Sequence, residues 1–400
     1  MDCLELASKL VAIDSVTTRS NANVAIYMRE HLGRLGFDLE QIAYVDNSGG
    51  EKTALIGRRG PAPMTGQALR SGGIVYCCHN DVVSVDGWNA PYGGPFDAVA
   101  MEGKLWGRGA CDMKGPTAAA LSAIERIPIG QQKYPIYFLV TGDEESGMQG
   151  ANAIVERSKY FAEMRAAGTV GIIGEPTELH VVNAHKGGCH FHVTSQGIAA
   201  HSSTANGRNA NWALIPFLDY LRQQFERCEC DPRLLNQRFS PPSLSMNVVL
   251  KNEPAASNIT VGKATCQIFL RPMPDVDWRG FVDAIVASAN GMGLQTGPIT
   301  ALEPLHTSDS NSFVREVLTA LGQPQPESVC YATDGCYLRV LENLIVLGPG
   351  SIEQAHRSDE WISLEQLYRG VDVYEQLFRL YCLELPIRDR SDNRLRGLSE

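Results

Sequence analysis

Residues 73–81 read Gly73-Ile74-Val75-Tyr76-Cys77-Cys78-His79-Asn80-Asp81, a short apolar run that ends on an imidazole and a carboxylate. The pattern recurs at Pro135 to Val140, followed by Asp143, Glu144 and Glu145, and at Val170 to Ile173, followed by Glu175. A fourth run, Leu344 to Leu347, leads into Gly348-Pro349-Gly350 and then His356. Runs this short and rich in Val and Ile read as buried strands. Around them, Leu4 to Ala12, Val24 to Leu35, Gly115 to Ile127 and Leu364 to Leu380 repeat apolar positions at a helical period. The alternation predicts an α/β fold with a mostly parallel sheet and helices on both faces. Such sheets bind ligands beyond the carboxyl ends of their strands, so the His and carboxylate groups should converge there.

Composition narrows the class. A chain of 400 residues is long enough for two or three domains. Hydrophobic residues at 44% and charged residues at 20% exclude a disordered or collagen-like chain. Lys and Arg number 35 against 45 Asp and Glu, a formal charge of -10, so no nucleic-acid partner is expected. Apolar runs fall short of a membrane span, and Met1 to Ile13 mixes Asp2, Glu5 and Lys9 into its apolar residues, unlike an export signal. Eleven cysteines without a spaced Cys-x-x-Cys clip argue against both a disulfide framework and a thiolate zinc site. The reading is a cytoplasmic protein.

Between Lys186 and Gly297 the texture changes to strand (Cys189 to Ser195), helix (Asn209 to Phe225), two strands (Leu244 to Val249, Thr265 to Leu270) and helix (Arg279 to Ala289). That order is close to a ferredoxin-like α+β unit. The expected organisation is a catalytic domain over 1–186 and 298–385, an inserted domain over 187–297 and a frayed tail over 386–400. Gly57 to Gly73 and Cys228 to Pro242 read as long loops.

Taken singly, the polar residues have plain explanations. His79 and Asp81 lie on one side of an extended segment and form a pair, Asp112 caps a helix behind a glycine-rich loop, and Asp143-Glu144-Glu145 is a solvated turn. Taken together, two His and several carboxylates at strand ends make a nitrogen and oxygen ligand set suited to zinc, cobalt or manganese.

With Gly107-Arg108-Gly109-Ala110-Cys111-Asp112-Met113-Lys114-Gly115, Thr141 to Gly147, Ile173 to Thr177 and Gly348 to Glu360 in this order, the chain resembles a known family. It is similar, from the N-terminal helix to about Phe378, to the zinc-dependent aminoacylases and carboxypeptidases that include acetylornithine deacetylase, succinyl-diaminopimelate desuccinylase and aminoacylase-1. The resemblance implies a two-metal amidohydrolase. In its pattern Asp112 bridges two divalent ions, zinc first with cobalt or manganese as alternatives. His79 and Glu175 complete one site, and Glu145 and His356 complete the other. Glu144 matches the general base and Asp81 the residue supporting His79. The peptide after Asp112 matches one held cis. His201, in Gly197 to Ser203, matches an oxyanion-stabilising His that often comes from the partner of a homodimer, and a local contact near a helix start is its alternative. Arg271, Asn258 and Gly350 match substrate-contacting positions, Arg271 gripping a carboxylate, with a surface ion pair as its alternative.

Ala184-His185-Lys186-Gly187-Gly188 and Asp359-Glu360-Trp361 look most like the acetylornithine deacetylase branch. The implied substrate is a small N-acyl L-amino acid, N-acetylornithine first. Cys77-Cys78 and Ala332-Thr333-Asp334-Gly335 depart from that branch, so N-succinyl-diaminopimelate, N-acetylcitrulline and short dipeptides stay open, with dipeptidase or carboxypeptidase activity as the alternative reaction. A metal-free binding homologue is the alternative from another class, and it would need lost ligands.

Overall fold

The computed structural model describes residues 2–64 and 69–383, so the expectation for the tail, 386–400, lies outside the described residues. The chain divides into two units, Met1–Leu179 with Gly348–Glu400 and His180–Leu347.

In the first unit the strand Ile74–His79 is buried at all six positions, which is why it reads as an unbroken apolar run. It lies between Ile136–Thr141 and Val170–Ile173 and is parallel to both. The register pairs His79 with Thr141 and Cys77 with Ile173. His79 therefore leaves the sheet level with Thr141, two residues before Asp143, and level with Glu175 on the other side. The strand ends bring the polar groups together.

The parallel core carries an antiparallel flank. Asp38–Val45 and Glu51–Arg59 form a hairpin that pairs antiparallel with Ile136–Thr141. Sequence analysis read no strand here, because Asp38–Val45 opens on Asp-Leu-Glu-Gln and buries only Ile42 and Tyr44. The helices Cys3–Val11, Lys114–Glu125 and Leu364–Cys382 pack on one another. The Asp2 carboxylate accepts the Leu4 N–H at the start of the first, and the Ser363 hydroxyl accepts that of Gln366 at the start of the last. In the last helix Leu367, Val371, Tyr374 and Phe378 are buried, the spacing of one helical stripe.

The second unit holds the predicted β-α-β-β-α order. Gly188–Gln196, Lys263–Leu270 and Asn247–Glu253 form an antiparallel sheet, with Gln295–Thr296 and Thr300–Leu302 on the far side of the first. Phe191, Val193, Cys266 and Ile268 from the sheet join Phe217 and Leu221 of helix Asn211–Cys230 and Phe281 and Ile285 of helix Trp278–Gly291 in one core. Leu305–His306, Glu327–Val329 and Leu344–Val346 all pair with Val182–His185.

Candidate metal centre

Five side chains singled out in the sequence meet in the first unit. His79 Nε2 lies 3.0 Å from Asp112 Oδ1 and 3.6 Å from Glu175 Oε1. His356 Nε2 lies 3.3 Å from Asp112 Oδ2 and 3.0 Å from Glu145 Oε2. The two oxygens of Asp112 thus face two different imidazoles, each with a second carboxylate beside it. His79, Asp112 and Glu145 each offer a donor atom within 4.8 Å of the others.

The backbone explains how Asp112 reaches this place. Helix Lys114–Glu125 begins without a side-chain cap, so Asp112 is not spent on the helix start. The Asp112–Met113 peptide is cis, as the resemblance implied. Gly109 has φ +84, and a Cβ there would come 2.8 Å from Val82, so the turn into Asp112 requires glycine.

The acidic run of residues 143–145 separates into distinct environments. Asp143 is buried and accepts the Tyr44 hydroxyl and the N–H groups of Gln149 and Gly150, each at 2.8 Å. It anchors the next helix. Glu145 faces His356, and Glu144, half-buried, stands between the two in the same turn. Asp81 differs in detail from its expected role. His79 Nδ1 lies 3.0 Å from the main-chain oxygen of Asp81 and 3.5 Å from its carboxylate. That carboxylate instead accepts the N–H groups of Glu144 and Glu145, at 3.2 and 3.3 Å. One residue therefore holds both the His79 ring and the turn carrying the two glutamates.

The His356 side rests on a constrained loop. His356 itself has φ +63, a left-handed conformation that a non-glycine residue rarely adopts. Gly350, at φ +93, leaves no room for a side chain, since a Cβ would come 2.6 Å from Cys111 Sγ. Its fitness for that position is steric, and its carbonyl accepts the Glu178 N–H at 2.7 Å.

Electrostatics set the protonation of the cluster. Burial pushes Glu145 up to about 7, with the charge of Asp112 adding to the effect. Hydrogen bonds to Asp112 and Glu145 raise His356 to about 10. Burial alone would lower His79, yet Glu175, Asp112 and Asp81 together hold it well above the usual imidazole range. Asp112 is depressed: burial opposes its charge, and the hydrogen bonds from the two imidazoles outweigh that. Without a cation the carboxylates draw protons onto the imidazoles, which is the behaviour expected of a ligand set. Glu145 Oε1 is buried with no hydrogen-bond partner, so the protein leaves an acceptor that a cation would satisfy. The nitrogen and oxygen donors fit zinc, cobalt or manganese.

The remaining expected residues lie in the second unit, apart from Gly350. His201 is exposed, with Nδ1 2.7 Å from Ser203 Oγ. It sits close to Asn258, whose carbonyl accepts the Ser202 N–H at 3.0 Å, and a β-bridge joins His201 to Ile259. The Arg271 guanidinium rests 4.9 Å from the centre of the Phe269 ring. Sequence reasoning missed the role of Glu360, a buried carboxylate that binds the backbone of the Asp112 loop. Its partners are mainly peptide N–H groups, which no side-chain motif records.

Such a donor set at the strand ends of an α/β sheet defines the class as a metal-dependent hydrolase. Residues 76–380 match the model of peptidase family M20/M25/M40, and the chain belongs to that family. An acetylornithine deacetylase of Proteus mirabilis (strain HI4320) is 30% identical to it over 397 residues, covering 95% of this chain and 97% of the other. In fold, the chain is similar to the M20 metallo-carboxypeptidase Sso-CP2 of Sulfolobus solfataricus, with a TM-score of 0.71, 18% identity and coverage of 95% and 99%. It is also similar to a dinuclear metal-binding peptidase of Bacillus subtilis, with a TM-score of 0.64, 12% identity and coverage of 94% and 97%. The chain is a hydrolase acting on amide bonds.

Proposed function

We propose that this enzyme removes the acyl group from a small N-acyl L-amino acid, with N-acetylornithine as the first candidate, using two divalent ions, zinc in the first instance. The observation that carries this reading is the placement of Asp112 between His79 and His356, one oxygen toward each. A bridging carboxylate screens the repulsion of two neighbouring cations. His79 and Glu175 would hold one ion, Glu145 and His356 the other, and Asp112 both. Bound there, such ions supply Lewis acidity that acidifies water and polarises the scissile carbonyl.

The chain's own groups do the rest. Glu144, next to Glu145 in the same turn, takes a proton from the attacking water and returns it to the leaving amine. Asp81 fixes the His79 ring and, through its hold on the Glu144 and Glu145 N–H groups, the direction of both glutamates. Arg271 grips the substrate carboxylate through two parallel hydrogen bonds, with Asn258 and Gly350 beside the substrate. His201 stabilises the negative charge that develops on the carbonyl oxygen. We assign its action to a homodimer in which the His comes from the partner subunit.

The surface of the second unit supports that assembly. Strand Asn247–Glu253 is the sheet edge and every residue in it is exposed, Val248, Val249 and Leu250 in succession, with Leu250 54% exposed. Trp212, 72% exposed, and Ile215 add apolar area on helix Asn211–Cys230. A long apolar edge is a pairing surface. Eleven cysteines without the spaced framework of a disulfide-rich domain support a reducing compartment, and we place the enzyme in the cytoplasm.

The test is amine release across acetyl, succinyl and formyl derivatives of ornithine, citrulline, lysine and diaminopimelate, with dipeptides beside them. Turnover of an acetylated amino acid above all others supports the deacetylase reading. Preference for the succinyl compound or for dipeptides moves the enzyme to the desuccinylase or dipeptidase reading. No turnover by the metal-loaded protein of any of them overturns the proposal. Mixing His201→Ala and Glu144→Ala chains should restore part of the activity if His201 serves the partner, and absence of rescue contradicts that.

A further inference from the structure

The loop that carries Asp112 depends on one side chain far away in sequence. Glu360 is fully buried. Its Oε1 accepts the peptide N–H of Cys111 and that of Asp112, both at 2.9 Å. Its Oε2 accepts the peptide N–H of Gly109 at 2.9 Å and Arg108 Nη1 at 2.8 Å. The Arg108 guanidinium in turn sits 5.5 Å from the centre of the Trp88 ring. Both carboxylate oxygens are thus filled, by three N–H groups of one loop and one guanidinium, away from the surface.

We propose that Glu360 is a positioning residue for the metal centre: by holding the peptide N–H groups of Gly109, Cys111 and Asp112, it aims the Asp112 carboxylate so that one oxygen meets each half of the site. This rests on the two-metal reading above. The chemistry of the pocket requires an ionised carboxylate. Its four donors can only be met by a group that accepts at both ends. Glutamine keeps the shape but turns one end into a donor facing other donors, which opposes two of the four contacts and leaves buried N–H groups unmet. Aspartate keeps the charge and withdraws it by one methylene. A residue that only stabilised the fold would lower the melting temperature and leave the folded protein's affinity for ions alone. A residue that aims Asp112 weakens that affinity in protein that is still folded.

The experiment uses the full chain stripped of metal and titrated with Co2+, followed by the visible d–d absorption and by competition with a chelator, for wild type, Glu360→Gln and Glu360→Asp. Circular dichroism reports the fold. The expected result is a loss of Co2+ affinity of about 10–100-fold in Glu360→Gln, the range for an outer partner of a ligand, with an altered absorption envelope. Glu360→Asp should lose less, in the same direction. Folded Glu360→Gln that binds Co2+ within about twofold of wild type with the same spectrum overturns the proposal. Should the Gln chain not fold, the Asp chain decides by the same criterion, and failure of both to fold makes Glu360 a folding residue and also overturns it. If wild type and His79→Ala bind Co2+ alike, the two-metal reading itself has failed, and that outcome is separate from the others.

Discussion

His79 and His356 stand on either side of Asp112, at 3.0 and 3.3 Å, yet they are held in opposite ways. His79 ends a strand paired on both edges, its side chain is 1% exposed, and its second ring nitrogen is fixed by Asp81. His356 sits in a loop with φ +63, and its side chain is 57% exposed. A left-handed conformation at a non-glycine residue costs on the order of 1–3 kcal/mol, which surrounding contacts must offset. One half of the centre is built into the sheet, and the other is presented by a strained loop open to solvent. The difference teaches that the two proposed half-sites should not behave alike: the half proposed on His79 and Glu175 is the more preorganised, and the half proposed on Glu145 and His356 should exchange its ion more readily.

The largest expected effect separates proton handling from ion holding. Glu144→Ala should lower the rate of amide hydrolysis by about 10²–10⁴-fold, the usual range for loss of a general base, with metal content by mass spectrometry unchanged. Loss of metal along with activity would merge Glu144 into the exposed half-site.

Next come the two imidazoles. His79→Ala should weaken retention of both ions by more than the about 10–100-fold that removal of an outer partner costs, since the buried half anchors Asp112 as well. His356→Ala should release one equivalent on dialysis and keep the other. Equal losses in the two variants, measured by dialysis and elemental analysis, would remove the asymmetry.

Proton release gives a sharper, smaller signal. At pH 7.5 His356, raised to about 10, and His79, also raised, carry protons in the metal-free protein. A ligating imidazole must be neutral, so metal binding expels these protons and affinity rises with pH across this range. Calorimetric Zn2+ titrations in buffers of different ionisation enthalpy should show net release of protons. Heats independent of the buffer would contradict the protonated cluster.

The smallest effect concerns the loop beneath His356. Gly350→Ala places a side chain at φ +93 against Cys111 and should cost about 1 kcal/mol or more. A fall in the melting temperature with a weaker second ion is expected, and an unchanged thermal scan would detach the loop from the exposed half.

Much of this was legible in the sequence for a physical reason. A strand covered on both faces is continuously apolar, so Gly73 to Cys78 and its two neighbours announced themselves, and groups directly after parallel strands have to converge. His79, Glu175, His356 and the run Asp143 to Glu145 followed from that rule, while Asp112 and the choice of Glu145 within the run needed the family resemblance. Other features left no trace of this kind. The hairpin of Asp38–Val45 and Glu51–Arg59 alternates poorly because only part of its outer strand is buried. Asp143, one carboxylate among three in a row, became structural only once Tyr44 and a helix start were found against it. The carboxylate of Asp81 works on backbone N–H groups of Glu144 and Glu145, and Glu360 works mainly on backbone as well. Contacts of that sort depend on the path of the chain and not on a pair of residue types.

The most direct test of the account is anomalous diffraction at the zinc edge from crystals grown with Zn2+. It predicts two peaks about 3.5–4 Å apart with Asp112 between them, one against His79 and Glu175 and the other against Glu145 and His356. A single peak, or a pair that leaves Asp112 touching only one ion, would contradict it.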